Sequence, residues 1–170
     1  MFYLDYAAAT PMDNKVLEAM RPFFSEQFYN PSAAYASARQ VRREFENARH
    51  NIAQILGAKP AEIVFTAGVT EAVNLALTSV DNGQMVTSAI EHAAVLSFTK
   101  IKAAKILTVD PHGNLDLDQL RMSLSDDVRL VSLTYVNSEI GTILSVKNVA
   151  QIVSEVRGAR RERGNMTPLY

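Results

Sequence analysis

Four short runs rich in β-branched and apolar residues, at positions 62–66, 84–88, 105–109 and 129–135, alternate with segments of helical spacing. A chain so punctuated builds βαβ units, because parallel neighbours need a crossover and a helix is the usual one. The spacing therefore predicts an α/β fold of three layers, a mainly parallel sheet with helices on both faces. The intervening helices are read from Ala72, Leu75 and Ala76, from residues 93–104, from Asp116 with Leu117 and Leu120, and from Val146 to about Arg157.

Upstream of the alternation the texture differs. Residues 1–10 read as an extended arm ending at Pro11. Val16, Ala19, Met20 and Phe23 have helical spacing until Asn30-Pro31-Ser32 breaks it. A longer helix carries Ala38, Val41, Phe45, Ala48, Ile52, Ile55 and Leu56 on one stripe, predicted to face a core, and stops at Gly57. Arg157, Arg160, Arg161 and Arg163, interleaved with Glu155 and Glu162, read as a solvated helix face. At the far end, residues 164–170 leave a helix and begin a further strand. A sheet stopped there would leave an unpaired edge, so the sequence predicts more of the sheet elsewhere.

Composition narrows the function. Seventeen Lys and Arg against eighteen Asp and Glu give a formal net charge of −1, which argues against nucleic acid or an anionic membrane as partner. The chain has no cysteine, so disulfides and thiolate metal sites are excluded, and no metal is expected. Met1-Phe2-Tyr3-Leu4-Asp5 lacks the basic and long apolar regions of a signal peptide, and no apolar run spans a bilayer. Cytoplasmic localisation is the expectation.

Three polar clusters fall at strand ends. Residues 65–71 run through Gly68 into a helix, where free N–H groups and the helix dipole can hold an anion and the Thr70 hydroxyl can add a donor. A tight turn with Thr70 as an N-cap explains the same residues equally well. His92 follows the second strand and Asn137-Ser138-Glu139-Ile140-Gly141 follows the fourth, at the edge where open α/β sheets bind ligands. A lone histidine there is more often a polar loop residue than a functional one. His50 and His112 are assigned to solvent.

The ordered segments Tyr3-Leu4-Asp5-Tyr6-Ala7-Ala8-Ala9-Thr10-Pro11, Asn30-Pro31-Ser32, Glu62-Ile63-Val64-Phe65-Thr66-Ala67-Gly68-Val69-Thr70-Glu71, Ser88-Ala89-Ile90-Glu91-His92 and Asn137-Ser138-Glu139-Ile140-Gly141 resemble the N-terminal half of the cysteine desulfurases. These are class V aminotransferase-type enzymes that depend on pyridoxal 5′-phosphate (PLP). The resemblance implies that Gly68, Val69 and Thr70 hold the PLP phosphate and that His92 stacks on the ring and assists proton transfer. It places Ser138 at the ring hydroxyl, and Ala8, Ala9, Asn30 and Asn137 on the substrate side. It also implies an arm at 1–14 on the small-domain side and part of the PLP-binding large domain at 15–170.

Departures accompany the resemblance. Ser138 stands where the family has an asparagine, and a serine is shorter. Tyr35, Ala38 and Tyr29 replace a histidine and two glycines. The family's Schiff-base lysine, its pyridine-nitrogen aspartate and its mobile cysteine match nothing in these residues; Lys15, Lys59, Lys100, Lys102, Lys105 and Lys147 occupy other positions. The expectation is the N-terminal portion of an enzyme that takes sulfur from cysteine as a persulfide and leaves alanine, for iron–sulfur cluster or other sulfur assembly. Alone, the chain is expected to be inactive and not to hold PLP stably. A homodimer, a complementary C-terminal chain or a sulfur-acceptor protein is the expected partner. The alternatives are another class V lyase, such as a selenocysteine lyase, or a non-catalytic interaction fragment.

Overall fold

The structure is a computed structural model that describes residues 2–80 and 83–170. The chain divides into two compact units, residues 1–65 and 66–170.

In the second unit, α4 (Val69–Thr78) precedes β1 (Gln84–Ser88), and a single turn, α5 (Ala93–Leu96), leads to β2 (Lys105–Leu107). Then come α6 (Leu117–Ser123), β3 (Val128–Ser132) and α7 (Val146–Glu162). The three strands are parallel in the order β2-β1-β3, with Val86 opposite both Lys105 and Val131. Both faces are covered. Val86, Leu107, Leu120, Leu124, Val128 and Ile152 pack with α6 and α7 on one side. Met85, Leu77, Val95 and Phe98 pack with α4 and α5 on the other. Adjacent strand residues Met85 and Val86, both fully buried, point to opposite layers, as a pleated strand requires. The three-layer α/β reading is therefore correct for this unit.

The tail joins the sheet. The Tyr170 N–H donates to Arg129 O (2.9 Å) and the Val131 N–H donates to Tyr170 O (2.8 Å), while Leu169 is buried in the core. The further strand expected from residues 164–170 thus lies along the free edge of β3.

Several local expectations fail for identifiable reasons. Residues 62–66 form no strand: Pro60 opens a 3-10 turn, Pro60–Glu62, and the Glu62 carboxylate accepts from the Lys59 N–H at 2.7 Å. Residues 63–66 have no regular secondary structure and find no ladder partner among the described residues. The run 105–109 stops at Leu107 because Val109 turns to bridge Leu115 in antiparallel fashion. The helix expected over 93–104 holds for one turn only. The Ser97 and Thr99 hydroxyls donate back to Ala94 O and Leu96 O, and Ala103 takes a positive φ of 47°. Arg160 leaves the solvated face assigned to it. It is fully buried and donates to Val128 O (3.0 Å) and Ser125 O (2.5 Å), tying α7 to the start of β3. That burial lowers its pKa, with Asp126 opposing the shift.

In the first unit, α1 (Asn14–Met20) is capped by the Asp13 carboxylate, and α2 (Pro22–Ser25) restarts at Pro22. α3 (Ala36–Leu56) ends as expected on Gly57, which adopts φ 65°. The arm is not wholly extended: Ala8 and Ala9 donate to Asp5 O in a turn that the Tyr3 hydroxyl also closes. The α3 stripe is only partly a core face. Ala38 and Ala53 are buried, but Phe45, Ile55 and Leu56 are exposed, Ile55 at 83%. Arg49 lies over the Phe45 and Phe65 rings (5.1 and 4.9 Å) and donates to Ile63 O.

Candidate functional site

Parallel strands end together, so the loops after β1 and β3 emerge side by side. A buried carboxylate joins them. Glu91 Oε1 accepts from the Ser88 hydroxyl (2.8 Å) and from the Thr134 N–H (2.8 Å). A second brace runs from Asn137 Nδ2 to Ile90 O at 2.9 Å. Asn137 Oδ1 meanwhile accepts from the Glu139 and Ile140 N–H groups (2.9 and 3.0 Å), which shapes its own turn. Below both loops, the Thr87 hydroxyl donates to Ser132 O across β1 and β3.

These braces frame a cleft of about 320 Å³ whose lining includes Ala89, His92, Thr134, Asn137 and Ser138. That volume is within the ordinary range for a small-molecule site. His92 is the N-cap of α5: its Nδ1 accepts from the Ala94 N–H at 3.1 Å, which fixes the ring and leaves Nε2 as the N–H side. The ring is otherwise exposed toward the cleft.

A third loop supports the rim. Asp110 accepts from the His112 and Asn114 N–H groups (both 2.8 Å) and from Asn114 Nδ2 (2.9 Å). The Asn114 side chain, foremost among these, holds the Asp110 carboxyl below its ordinary value. The Thr142 hydroxyl donates to His112 O at 2.6 Å. Gly113 adopts φ 80°, a left-handed conformation that favours glycine at this turn.

The N-terminus of α4 is a separate feature of the same unit. Its N-cap, Gly68, offers no side chain, and a Cβ there would meet nothing within 4 Å. The Glu71 carboxylate accepts from the Ala67 N–H (2.6 Å), and Thr66 Oγ1 donates to Gly68 O. The first-turn N–H groups of Val69 and Thr70 have no intrahelical acceptor, as at any helix start. Leu77, near the end of α4, packs in one cluster with Met85 near the start of β1.

The structure thus brings His92, Asn137 and Ser138 into one cleft and leaves Gly68, Val69 and Thr70 outside its lining. Ala8, Ala9 and Asn30 belong to the other unit; Asn30 Oδ1 there accepts from the Ser32 N–H at 2.9 Å. His50 and His112 are exposed. Glu91 is the residue that sequence reasoning passed over. Its partner Thr134 is 43 positions away, and only an acidic residue beside a strand end hinted at it. Among the described residues there is no group of three or more His, Cys, Asp or Glu able to hold a metal, and no helix long and apolar enough to cross a membrane.

A phosphorylated pyridine suits these parts. Open backbone donors and a hydroxyl at Gly68–Thr70 suit a phosphate, and the planar, oriented His92 ring suits an aromatic ring.

Residues 2–160 match the aminotransferase class-V family. The chain is 41% identical to the cysteine desulfurase IscS of Dictyoglomus turgidum over 164 residues, covering 90% of this chain and 42% of that protein. Among solved structures it resembles a NifS-like protein at 35% identity and a TM-score of 0.86, covering 90% of this chain and 45% of the other. It also resembles SspA, determined in complex with cysteine, at 34% identity and a TM-score of 0.80, covering 91% and 48%. The chain spans less than half the length of these relatives.

Proposed function

The chain belongs to the aminotransferase class-V family, and from that premise we propose that it carries the phosphate-holding and ring-side parts of a PLP-dependent cysteine desulfurase. The observation that carries the reading is the hydrogen-bonded union of the two strand-end loops, which puts His92, Asn137 and Ser138 on one cleft. That a structural relative holds cysteine supports cysteine as the substrate.

When bound, PLP supplies an electron sink for breaking bonds at the substrate carbon beside its amino group. This chain's residues do the holding. The N–H groups of Val69 and Thr70 and the Thr70 hydroxyl bind the phosphate. His92, its Nδ1 engaged by Ala94, faces the ring and holds a proton at Nε2. Ser138 donates near the ring hydroxyl, with a shorter reach than an asparagine. Asn137, whose amide is already committed to Ile90 O and to its own turn, shapes the substrate side. The family resemblance assigns Ala8 and Ala9, in an arm at residues 1–14, and Asn30, in a larger domain at 15–170, to the substrate side as well.

Among the described residues no lysine lines the cleft; Lys102 donates to Val80 O and Lys105 to Ser123 O. We propose that residues 1–170 taken alone hold PLP weakly and do not turn over cysteine. A complementary C-terminal sequence contributing a lysine completes the site, and self-association as a homodimer is the alternative partner arrangement. A sulfur-acceptor protein receives the product sulfur in the cytoplasm for iron–sulfur or other sulfur assembly.

The test is to add PLP, record the absorbance, reduce with borohydride and map the labelled peptides. Scattered substoichiometric labelling of surface lysines is expected. A stoichiometric adduct at one of the six lysines, lost on Thr70→Ala or His92→Ala, would contradict the division of labour proposed here.

A further inference from the structure

We propose that Glu91 is the positioning residue of the site: one carboxylate oxygen holds the His92 loop against the end of β3, and the orientation of His92 depends on it. The inference deepens the functional reading above and rests on it for the role of His92.

A carboxylate is rarely buried unless its charge is satisfied. Glu91 is 8% exposed, and among the described residues it forms no ion pair. Its Oε1 instead takes two neutral donors from different places, the buried Ser88 hydroxyl at the end of β1 and the Thr134 backbone N–H two residues beyond β3. Behind the carboxylate is a space of about 20 Å³ lined largely by apolar groups, including Leu115, Leu133 and Leu144. Besides Ser88 and Thr134, which already donate to Glu91, the one other polar side chain in that lining is Thr142, whose hydroxyl donates to His112 O. The mostly apolar surroundings therefore strengthen the hydrogen bonds to the carboxylate.

The consequence falls on the neighbouring residue. His92 directly follows Glu91, and its ring depends on the backbone keeping Ala94 N–H 3.1 Å from Nδ1. The second brace, Asn137 to Ile90 O, acts on the other side of Glu91 and closes a ring of contacts around three consecutive residues. Without the carboxylate, Thr134 loses its acceptor, and Asn137 is left as the one described side-chain brace between the segment bearing His92 and the loop after β3. A residue serving only stability would not set the state of a neighbouring imidazole.

The experiment uses the full chain, labelled with nitrogen-15 and free of cofactor. Long-range proton–nitrogen spectra report the tautomer of each of the three histidines, and loss of signal in His92→Asn identifies that of His92. Wild type is expected to show a single Nε2–H tautomer at His92 and a downfield Thr134 amide. Glu91→Ala is expected to give averaged ring signals and an upfield Thr134 amide, and to weaken PLP binding about tenfold. Glu91→Gln keeps an acceptor oxygen for both donors and is expected to restore the ring signals, with affinity within about twofold of wild type. Ser88→Ala, which removes one donor and leaves a small buried change, moves the His92 signals the same way by less. This variant decides the matter should Glu91→Ala not fold.

Unchanged His92 and Thr134 signals in Glu91→Ala, or no movement in Ser88→Ala, overturn the proposal. So does Glu91→Gln behaving as Glu91→Ala. The ring signals need no cofactor, so failure of the wild-type chain to bind PLP counts against the functional reading alone.

Discussion

The unit at 66–170 and the unit at 1–65 are both rich in apolar side chains, yet they use them differently. In the former, two layers of helix meet the two faces of a sheet, and Met85, Val86, Leu120 and Val128 are all fully buried. In the latter, α3 buries only Ala38 and Ala53, while Phe24, Phe28, Ile55 and Leu56 remain exposed. Apolar periodicity therefore gives the face an element would bury, whereas actual burial depends on a second layer to receive it. The candidate cleft stands on the unit where that layer exists.

The largest effect separates the cores. Leu120→Ala should destabilise the chain by about 2–5 kcal/mol, the range for emptying a packed leucine site. Ile55→Ala, at an exposed position, should stay within about 0.5 kcal/mol. Denaturant melts of both variants check this, and equal losses would erase the contrast between the units. Next comes the cap of α6. Asp116 accepts from the Asp118 and Gln119 N–H groups (2.9 and 3.2 Å), so Asp116→Ala should lose about 1 kcal/mol in the same melts.

The smallest effect concerns the third loop. Asp110 has a folded-state pKa below the ordinary 3.8, so its contribution is complete above that value and is lost as pH falls through the lower folded value. The His112 and Asn114 amide signals should move on acidification with a midpoint below pH 3.8. Movement centred above 3.8 would contradict the depressed carboxyl.

Much of this was legible in the sequence because it depends on near neighbours. The β1 strand, the Gly57 stop, the Asp116 cap and the strand-end placement of His92, Asn137 and Ser138 each follow from residues a few positions apart. What was not legible depends on distant partners. Arg160 looked solvated because its acceptors, Val128 O and Ser125 O, are 32 and 35 positions away. Glu91 looked incidental for the same reason. The run 62–66 has strand composition, but a strand needs a ladder partner, and composition does not supply one.

The most direct test of the account is an amide chemical-shift titration of the labelled full chain with PLP. The account predicts shifts at Val69 and Thr70, at Glu91 and His92, and at Asn137 and Ser138, with α3 still. Shifts confined to α3, or to the opposite end of the sheet around Gly83 and Arg129, would contradict it.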